Sequence, residues 1–408
     1  MIDAEIDGNP PATPIRTPLG AFLLGAALVL MAFNLRIAVT SVGPVLPAVM
    51  RATGLSDAGA AVLTTLPSLC FGLFGPLGPA LSRRLGTERA LLLVLAILAV
   101  GTGLRGVATV PALFVGQILA GFSIGIVNVL LPSLVKRDFP KRAALMTGLY
   151  TMSLSLGGGI AAAATVPLAH AFGGSWAIAL ACWAIPAAIA VAIWAPQVPR
   201  ATSGRRHAGF TVTGLWSDAL AWQVTLFMGL NSALAYTMFG WLPHLLQDRG
   251  LNAVNAGYVL SVSVFGQAAG ALFAPLLATC WRDQRVINVL GTAICIVGLI
   301  GCFYAPLWSV WVWAGVAGLA QGGVFAVAVM LILLRAADSH IAAHLSSMVQ
   351  GVGYLIASLG PLVAGLLHGW SGDWNGVALF CVAIAAASAL CGIGAGRDRH
   401  VRAVLSRR

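Results

Sequence analysis

Residues 89–109 read RALLLVLAILAVGTGLRGVAT, an apolar run whose two arginines, Arg89 and Arg105, stand at or near its ends. A helix needs about 20 mostly apolar residues to cross the hydrocarbon core of a bilayer, and this run has that length. Eleven more blocks of the same kind flank it, at 19–48, 58–81, 112–135, 142–168, 175–196, 220–246, 253–279, 285–305, 308–334, 341–368 and 374–396. The first and the eleventh read as broken helices. Of the 408 residues, 9% are charged and 59% hydrophobic, whereas a soluble domain carries about 25% charged residues. A chain with so few charges cannot cover a water-facing surface, so lipid is its main solvent. The expected fold class is therefore an all-α integral membrane protein with twelve transmembrane helices. The longest connection, Gln197–Asp218, splits the blocks six and six. This gives an N-terminal tail over 1–18, a six-helix bundle over 19–196, a linker over 197–219, a second bundle over 220–396 and a basic tail over 397–408.

The net charge of +11 comes almost wholly from arginine, since Lys136 and Lys141 are the only lysines. Nucleic-acid binding would need a basic face on a soluble domain, and here the charges lie between apolar blocks. Loops on the cytoplasmic side of membrane proteins are enriched in Lys and Arg. With the N-terminus on one side, nineteen basic residues fall on that side, among them Arg16, Arg83, Arg84, Lys136, Arg137, Arg205, Arg206, Arg282, Arg335 and Arg408. Only Arg51, Arg105 and Arg249 fall on the other, and Arg36 lies inside a span. Both termini are thus expected in the cytoplasm. The first 18 residues are polar, and no cleavable signal peptide is expected.

Several chemistries are not expected. Neither lysine follows a glycine, so there is no phosphate-binding loop. The seven cysteines lie in or at the ends of spans with no CxxC pair, and read as small apolar packing residues. His340 and His344 come nearest to metal-ligand spacing, but stand with Asp338 at a loop-to-helix junction and read as solvated. No catalytic constellation appears, so neither enzyme activity, a cofactor nor a metal is expected. All 12 acids sit in termini, connections or span ends, so no carboxylate lies mid-membrane where proton-coupled carriers often place one. His244 and His368, toward the outer ends of their blocks, remain as possible proton sites beside a structural reading.

Arg36 lies past the middle of the first block. A central arginine costs roughly 2.5–3.5 kcal/mol on insertion scales, and no acid is at hand to pair with it. Either it binds helix-end carbonyls and holds a broken first helix together, or it lines a watery cavity and attracts an anion. Asn34 and Thr40 flank it, Thr40 on the same face, and Gly43-Pro44 with Pro47 is expected to break the helix. Other spans carry isolated polar groups near mid-depth: Gln117, Asn128, Tyr150, Asn231, Gln267, Gln321, Gln350 and Tyr354. Buried amides also serve as glue between helices, but their spread over both halves favours a central polar cavity. Gly157-Gly158-Gly159 reads as close helix packing. The order of a Gly-rich helix, a charged turn and a second Gly-rich helix over 121–159 recurs over 321–361, half the chain later, as in transporters built from repeats around a midplane site.

These residues resemble the cyanate and 2-nitroimidazole transporter branch of the major facilitator superfamily. The likeness is carried by Asn34-Leu35-Arg36 with Thr40-Ser41-Val42-Gly43-Pro44, by Asn128-Val129-Leu130-Leu131-Pro132 with Lys136-Arg137-Asp138-Phe139-Pro140, by Leu220–Phe227, by Gly240-Trp241-Leu242-Pro243 and by Gln350-Gly351-Val352-Gly353-Tyr354. The tail Ala395-Gly396-Arg397-Asp398 resembles that of the 2-nitroimidazole member. The resemblance implies two pseudo-symmetric six-helix bundles, alternating access and a small anionic or weakly acidic solute, with the protein functional as a monomer in the lipid bilayer of a bacterial inner membrane. Arg36, Asn34, Thr40, Asn128, Tyr150, Asn231, Gln267, Gln321, Gln350 and Tyr354 are the expected substrate-binding residues. There are departures from the wider superfamily. In the loop motif after the second helix Ser82 replaces an aspartate, which weakens the expected charge latch, and Gln117 takes the place of a fourth-helix arginine. A non-transporting membrane sensor of the same fold is the competing expectation.

Overall fold

The computed structural model describes residues 18–139, 142–200, 210–281, 283–337 and 339–407. Arg16, Lys141, Arg205, Arg206, Arg282, Asp338 and Arg408, which entered the charge count and the loop readings, lie outside the described residues, as does nearly all of the N-terminal tail. The first block forms two helices, α1 (Pro18–Thr40) and α2 (Val42–Thr53). The second forms α3 (Asp57–Phe74), a 3-10 turn and α4 (Gly78–Leu85). The next three are α5 (Thr87–Leu104), α6 (Val110–Asp138) and α7 (Ala143–Ala171), and the sixth is α8 (Trp176–Cys182) followed by α9 (Ala184–Trp194). The second half has one helix per block: α10 (Ala219–Asp248), α11 (Ala253–Ala278), α12 (Arg285–Tyr304), α13 (Val310–Leu334), α14 (Ser339–Ser371) and α15 (Asn375–Ala395).

Two expectations about helix breaks are corrected. The first helix breaks at Ser41, ahead of Gly43 and Pro44. Pro44 falls in the first turn of α2, where a missing N–H costs nothing. The eleventh block is one continuous helix of 33 residues despite Pro361, and the sixth is broken instead, at Trp183. Eleven helices among the described residues are long and apolar enough to cross a membrane. The block at α10 falls short on hydropathy because it carries Gln223, Asn231 and His244, and most of its 30 residues are buried by protein instead of lipid.

Helix pairing repeats with an offset of six spans. In the first half α1 packs on α7, α3 on α6, α5 on α6 and α5 on α9. The equivalent pairs of the second half are α10 on α14, α11 on α13, α12 on α13 and α12 on α15. The halves meet through α3 against α14 and α7 against α11, the same pair of positions exchanged. This is the internal two-fold arrangement that the sequence repeat implied, so the twelve-helix, two-bundle fold class holds. Two short strands, β1 (Phe210–Thr213) and β2 (Val404–Arg407), pair antiparallel and tie the linker to the C-terminal tail.

At the end bearing Arg83, Arg84, Lys136 and Arg137, called here the basic end, the latch weakened by Ser82 is rebuilt with other residues. Ser82 and Thr87 share a 2.7 Å hydrogen bond between hydroxyls. Glu88, buried in the first turn of α5, accepts from Arg137 at the end of α6 at 2.5 Å, and its carbonyl accepts from the Trp194 indole. On the same side of the second half Arg335 is buried and donates to the carbonyls of Ala395 and Gly396 and to Gln284.

Candidate functional site

The two halves enclose a cavity of about 410 Å³ between α1, α3, α6 and α7 on one side and α10, α11, α13 and α14 on the other. Its volume falls within the usual range for small-molecule sites, about 300–1,000 Å³. Arg36 projects into it from α1. Gly158 on α7 makes the room, since a Cβ there would stand 2.3 Å from Cγ of Arg36. The arginine does not hold the broken first helix together. That role falls to Arg105, wholly buried after α5, whose guanidinium donates to the Ala38 carbonyl at 3.2 Å and to Ser41 Oγ at 3.5 Å. Arg36 is thereby left to face the cavity.

Inside, Arg36 donates to Gln267 Oε1 at 3.5 Å, and its guanidinium carbon lies 5.0 Å from the centre of the Phe239 ring. Gln267 in turn donates to Gln321 Oε1 at 3.2 Å, and Asn231 donates to the Gln321 carbonyl at 3.2 Å. The chain Arg36–Gln267–Gln321 therefore crosses from one half to the other. Arg36 is the one charged side chain among the residues lining this cavity. It meets amide oxygens and aromatic faces, which stabilise a guanidinium without neutralising it.

Asn128, Tyr150, Gln350 and Tyr354 line the same cavity, together with Arg36, Asn231, Gln267 and Gln321. Two other expected residues do not. Asn34 turns away and donates to the carbonyls of Leu30 and Pro186, joining α1 to α9. Thr40 is fully buried and donates to the carbonyls of Gly158 and Arg36, joining α1 to α7. Although they stand about one turn apart, Arg36 faces the cavity, while Thr40 faces the helix that packs beside it. Gln117 is also buried outside the cavity lining. Replacing Thr40 by the near-isosteric Val removes these bonds at a cost of about 1 kcal/mol. We expect Thr40→Val to lower the melting temperature in detergent while leaving solute affinity within about twofold, since about 0.4 kcal/mol is a factor of two. A tenfold loss of affinity would return Thr40 to the binding site.

Sequence reading missed the aromatic wall. Tyr236 and Phe239 on α10 and Phe71 on α3 line the cavity beside Tyr354. Their rings meet edge to face, Phe71 to Tyr354 at 5.6 Å, Phe71 to Tyr236 at 5.9 Å and Tyr236 to Phe239 at 5.7 Å. Tyr236 and Tyr354 stand close enough to interact with the Arg36 charge. The signal was present: from Asn231, the positions Ser232, Ala235, Tyr236 and Phe239 continue one helical face.

The cavity is shut at the end opposite the basic loops. There α2 packs on α10 and α11, and Gln247 on α10 donates to the Pro44 carbonyl on α2 at 3.2 Å. His244 and His368 also lie at that end, apart from the cavity. Toward the basic end Pro132, Thr147 and Val329 line the cavity and are exposed. The cavity thus opens on the side of the basic loops.

Residues 23–316 and 226–406 match the model of the Major Facilitator Superfamily. The chain is 36% identical over 389 residues to the 2-nitroimidazole transporter of Escherichia coli, covering 93% of this chain and 97% of that protein. It is 35% identical to an uncharacterized transporter, YycB, of Bacillus subtilis (95% and 97%) and 34% identical to the cyanate transport protein CynX of Escherichia coli (85% and 90%). The protein belongs to the Major Facilitator Superfamily. Among solved structures the nucleoside transporter NupG superposes with a TM-score of 0.73 at 14% identity, covering 92% of this chain and all of that one. The inward-open xylose transporter XylE of E. coli also gives 0.73, at 11% identity, over 93% and 97% of the two chains. These likenesses fix the fold, and the family is one of membrane transporters and not of enzymes.

Proposed function

We propose that this protein is a secondary transporter that moves a small anionic or weakly acidic solute, cyanate-like or 2-nitroimidazole-like, by alternating access. The observation that carries this reading is Arg36, a single positive charge in a cavity whose other lining residues are all uncharged. A buried cation without a protein counter-ion is costly, and an anionic solute would offset that cost. The two relatives named for cyanate and 2-nitroimidazole support the solute class. The wide excess of Lys and Arg on the basic end supports a cytoplasmic position for that end and for both termini, in a bacterial inner membrane. The cavity described above is then open to the cytoplasm. The other state would break the contacts at the opposite end and close α6 and α7 against α13 and α14. A single chain encloses the whole cavity, which is consistent with a functional monomer.

The test is flux of cyanate and of 2-nitroimidazole into proteoliposomes containing only this protein, with and without a pH gradient. Saturable flux of either solute above protein-free vesicles supports the reading. Accumulation driven by the gradient would add proton coupling, and mere equilibration would make the protein a facilitator. Absence of flux for both solutes would remove the proposed solute class.

A further inference from the structure

Arg36 lies near the middle of the span Phe22–Thr53, about 20–25 Å from its two ends at 1.5 Å per residue. Its side chain is too short to reach water at either membrane face. In the form described above it is half-buried, and the cavity open at the basic end wets it. Its stem is fixed against Gly158 on α7, and its guanidinium carbon stands over Phe239 on α10. The guanidinium donates to Gln267 Oε1 at 3.5 Å. That amide is committed in turn, because its nitrogen donates to Gln321 Oε1 and only its oxygen is left to face Arg36. A neutral amide and a ring share the positive charge without cancelling it. Every described Asp and Glu stands at a helix end or in a connection, and none of them lines the cavity.

A carrier that works by alternating access must pass through a form sealed at both ends, and sealing expels water from the cavity. In the empty protein Arg36 would then be a cation out of water with no anion beside it. That is the costly case, whereas a counter-ion in contact offsets the loss of hydration. The charge cannot be shed instead, because arginine keeps its proton inside proteins. Only a bound anion cancels it here, so the loaded protein seals readily and the empty one seldom. We propose that return of the empty carrier is the slow step of the cycle, and that the protein works as an exchanger, carrying one anion each way. The gradient of one anion then drives the movement of the other. This inference rests on the reading of Arg36 as the anion's partner in an alternating-access carrier, and adds to it what couples the two directions of transport.

Two measurements test it, and the first needs no solute. Donor and acceptor dyes at Ala52→Cys on α2 and Trp370→Cys on α14, exposed positions of opposite halves at the closed end, report each opening and closing of single molecules in lipid nanodiscs. The accessible native cysteines Cys182, Cys280 and Cys391 are replaced by serine. Without solute, the parent should switch more slowly than two variants, Arg36→Gln, which removes the charge, and Gln267→Glu, which sets a carboxylate beside it. The expected difference is about tenfold or more, the change in rate produced by about 1.4 kcal/mol of barrier. An empty parent that switches as fast as the variants would overturn the proposal. A gain in only one of two folded variants would trace the effect to packing and overturn it as well, and where one does not fold the other decides. The second measurement is entry of labelled cyanate or 2-nitroimidazole into proteoliposomes that hold the same unlabelled solute or none. Entry into the loaded vesicles should be about tenfold faster or more, by the same relation, and equal rates would overturn the proposal. No entry of either solute into either kind of vesicle would remove the solute class, while the switching rates would still decide the exchange mechanism.

Discussion

Arg36→Ala should reduce solute flux by about 100-fold or more while the protein remains folded and monodisperse in detergent. Truncating one partner of a buried charge contact costs about 2–5 kcal/mol, and about 2.7 kcal/mol is a factor of 100. The loss falls on the solute because Arg36 has little else to hold. Its protein contacts are the long hydrogen bond to Gln267 and the face of Phe239, and the break in the first helix is secured by Arg105. Removing the charge also relieves the cost of a cation deep in the membrane, so no loss of stability is expected. Arg36→Lys should recover part of the flux. It keeps the charge but loses the planar fork that can bind two oxygens and lie against a ring. A variant that fails to fold would make the residue a packing element.

Gly318→Leu should give the largest loss of stability. The interface of α11 with α13 is the closest in the second half, and a Cβ on Gly318 would stand 2.1 Å from the Ser263 carbonyl oxygen. The obstacle is backbone, which cannot turn aside as a side chain can, so the helices must separate. Overpacking a tight core costs about 1–3 kcal/mol, and a leucine at a backbone-to-backbone contact belongs at or above the upper end. The same interface carries Gln267 and Gln321, so separating the helices would also break the chain of bonds that reaches Arg36. Thermal unfolding followed by size-exclusion chromatography measures the effect. Gly148→Leu on α7, where a Cβ meets nothing within 4 Å, is the matched control and should melt as the parent does or slightly higher, since leucine favours a helix over glycine. Equal melting of the two leucine variants would mean that α11 and α13 are not held at this spacing.

Most of the fold was legible because the bilayer imposes a length and a composition on each span. Twelve blocks, a charge asymmetry and a half-chain repeat sufficed for the two-bundle architecture, and the family match agrees. What misled the sequence reading were the faces of single helices. Thr40 follows Arg36 by four residues, yet α1 at that depth is flanked by both the cavity and α7, and the narrow angle between them sends the two side chains to different neighbours. Asn34 is likewise spent on the Pro186 carbonyl, at a break in the sixth block that the sequence reading did not foresee. The aromatic wall went unseen because Tyr236 and Phe239 look like ordinary apolar positions until Asn231 fixes which face of α10 is wet.

The most direct test of Arg36 as the anion partner is equilibrium binding to the purified protein in detergent. Titration calorimetry would compare cyanate and 2-nitroimidazole on the parent and on Arg36→Ala. Saturable binding of at least one solute by the parent, weakened about 100-fold or more in the variant, is the expected result. Binding of equal strength by both proteins would contradict the assignment of Arg36 as the group that recognises the solute.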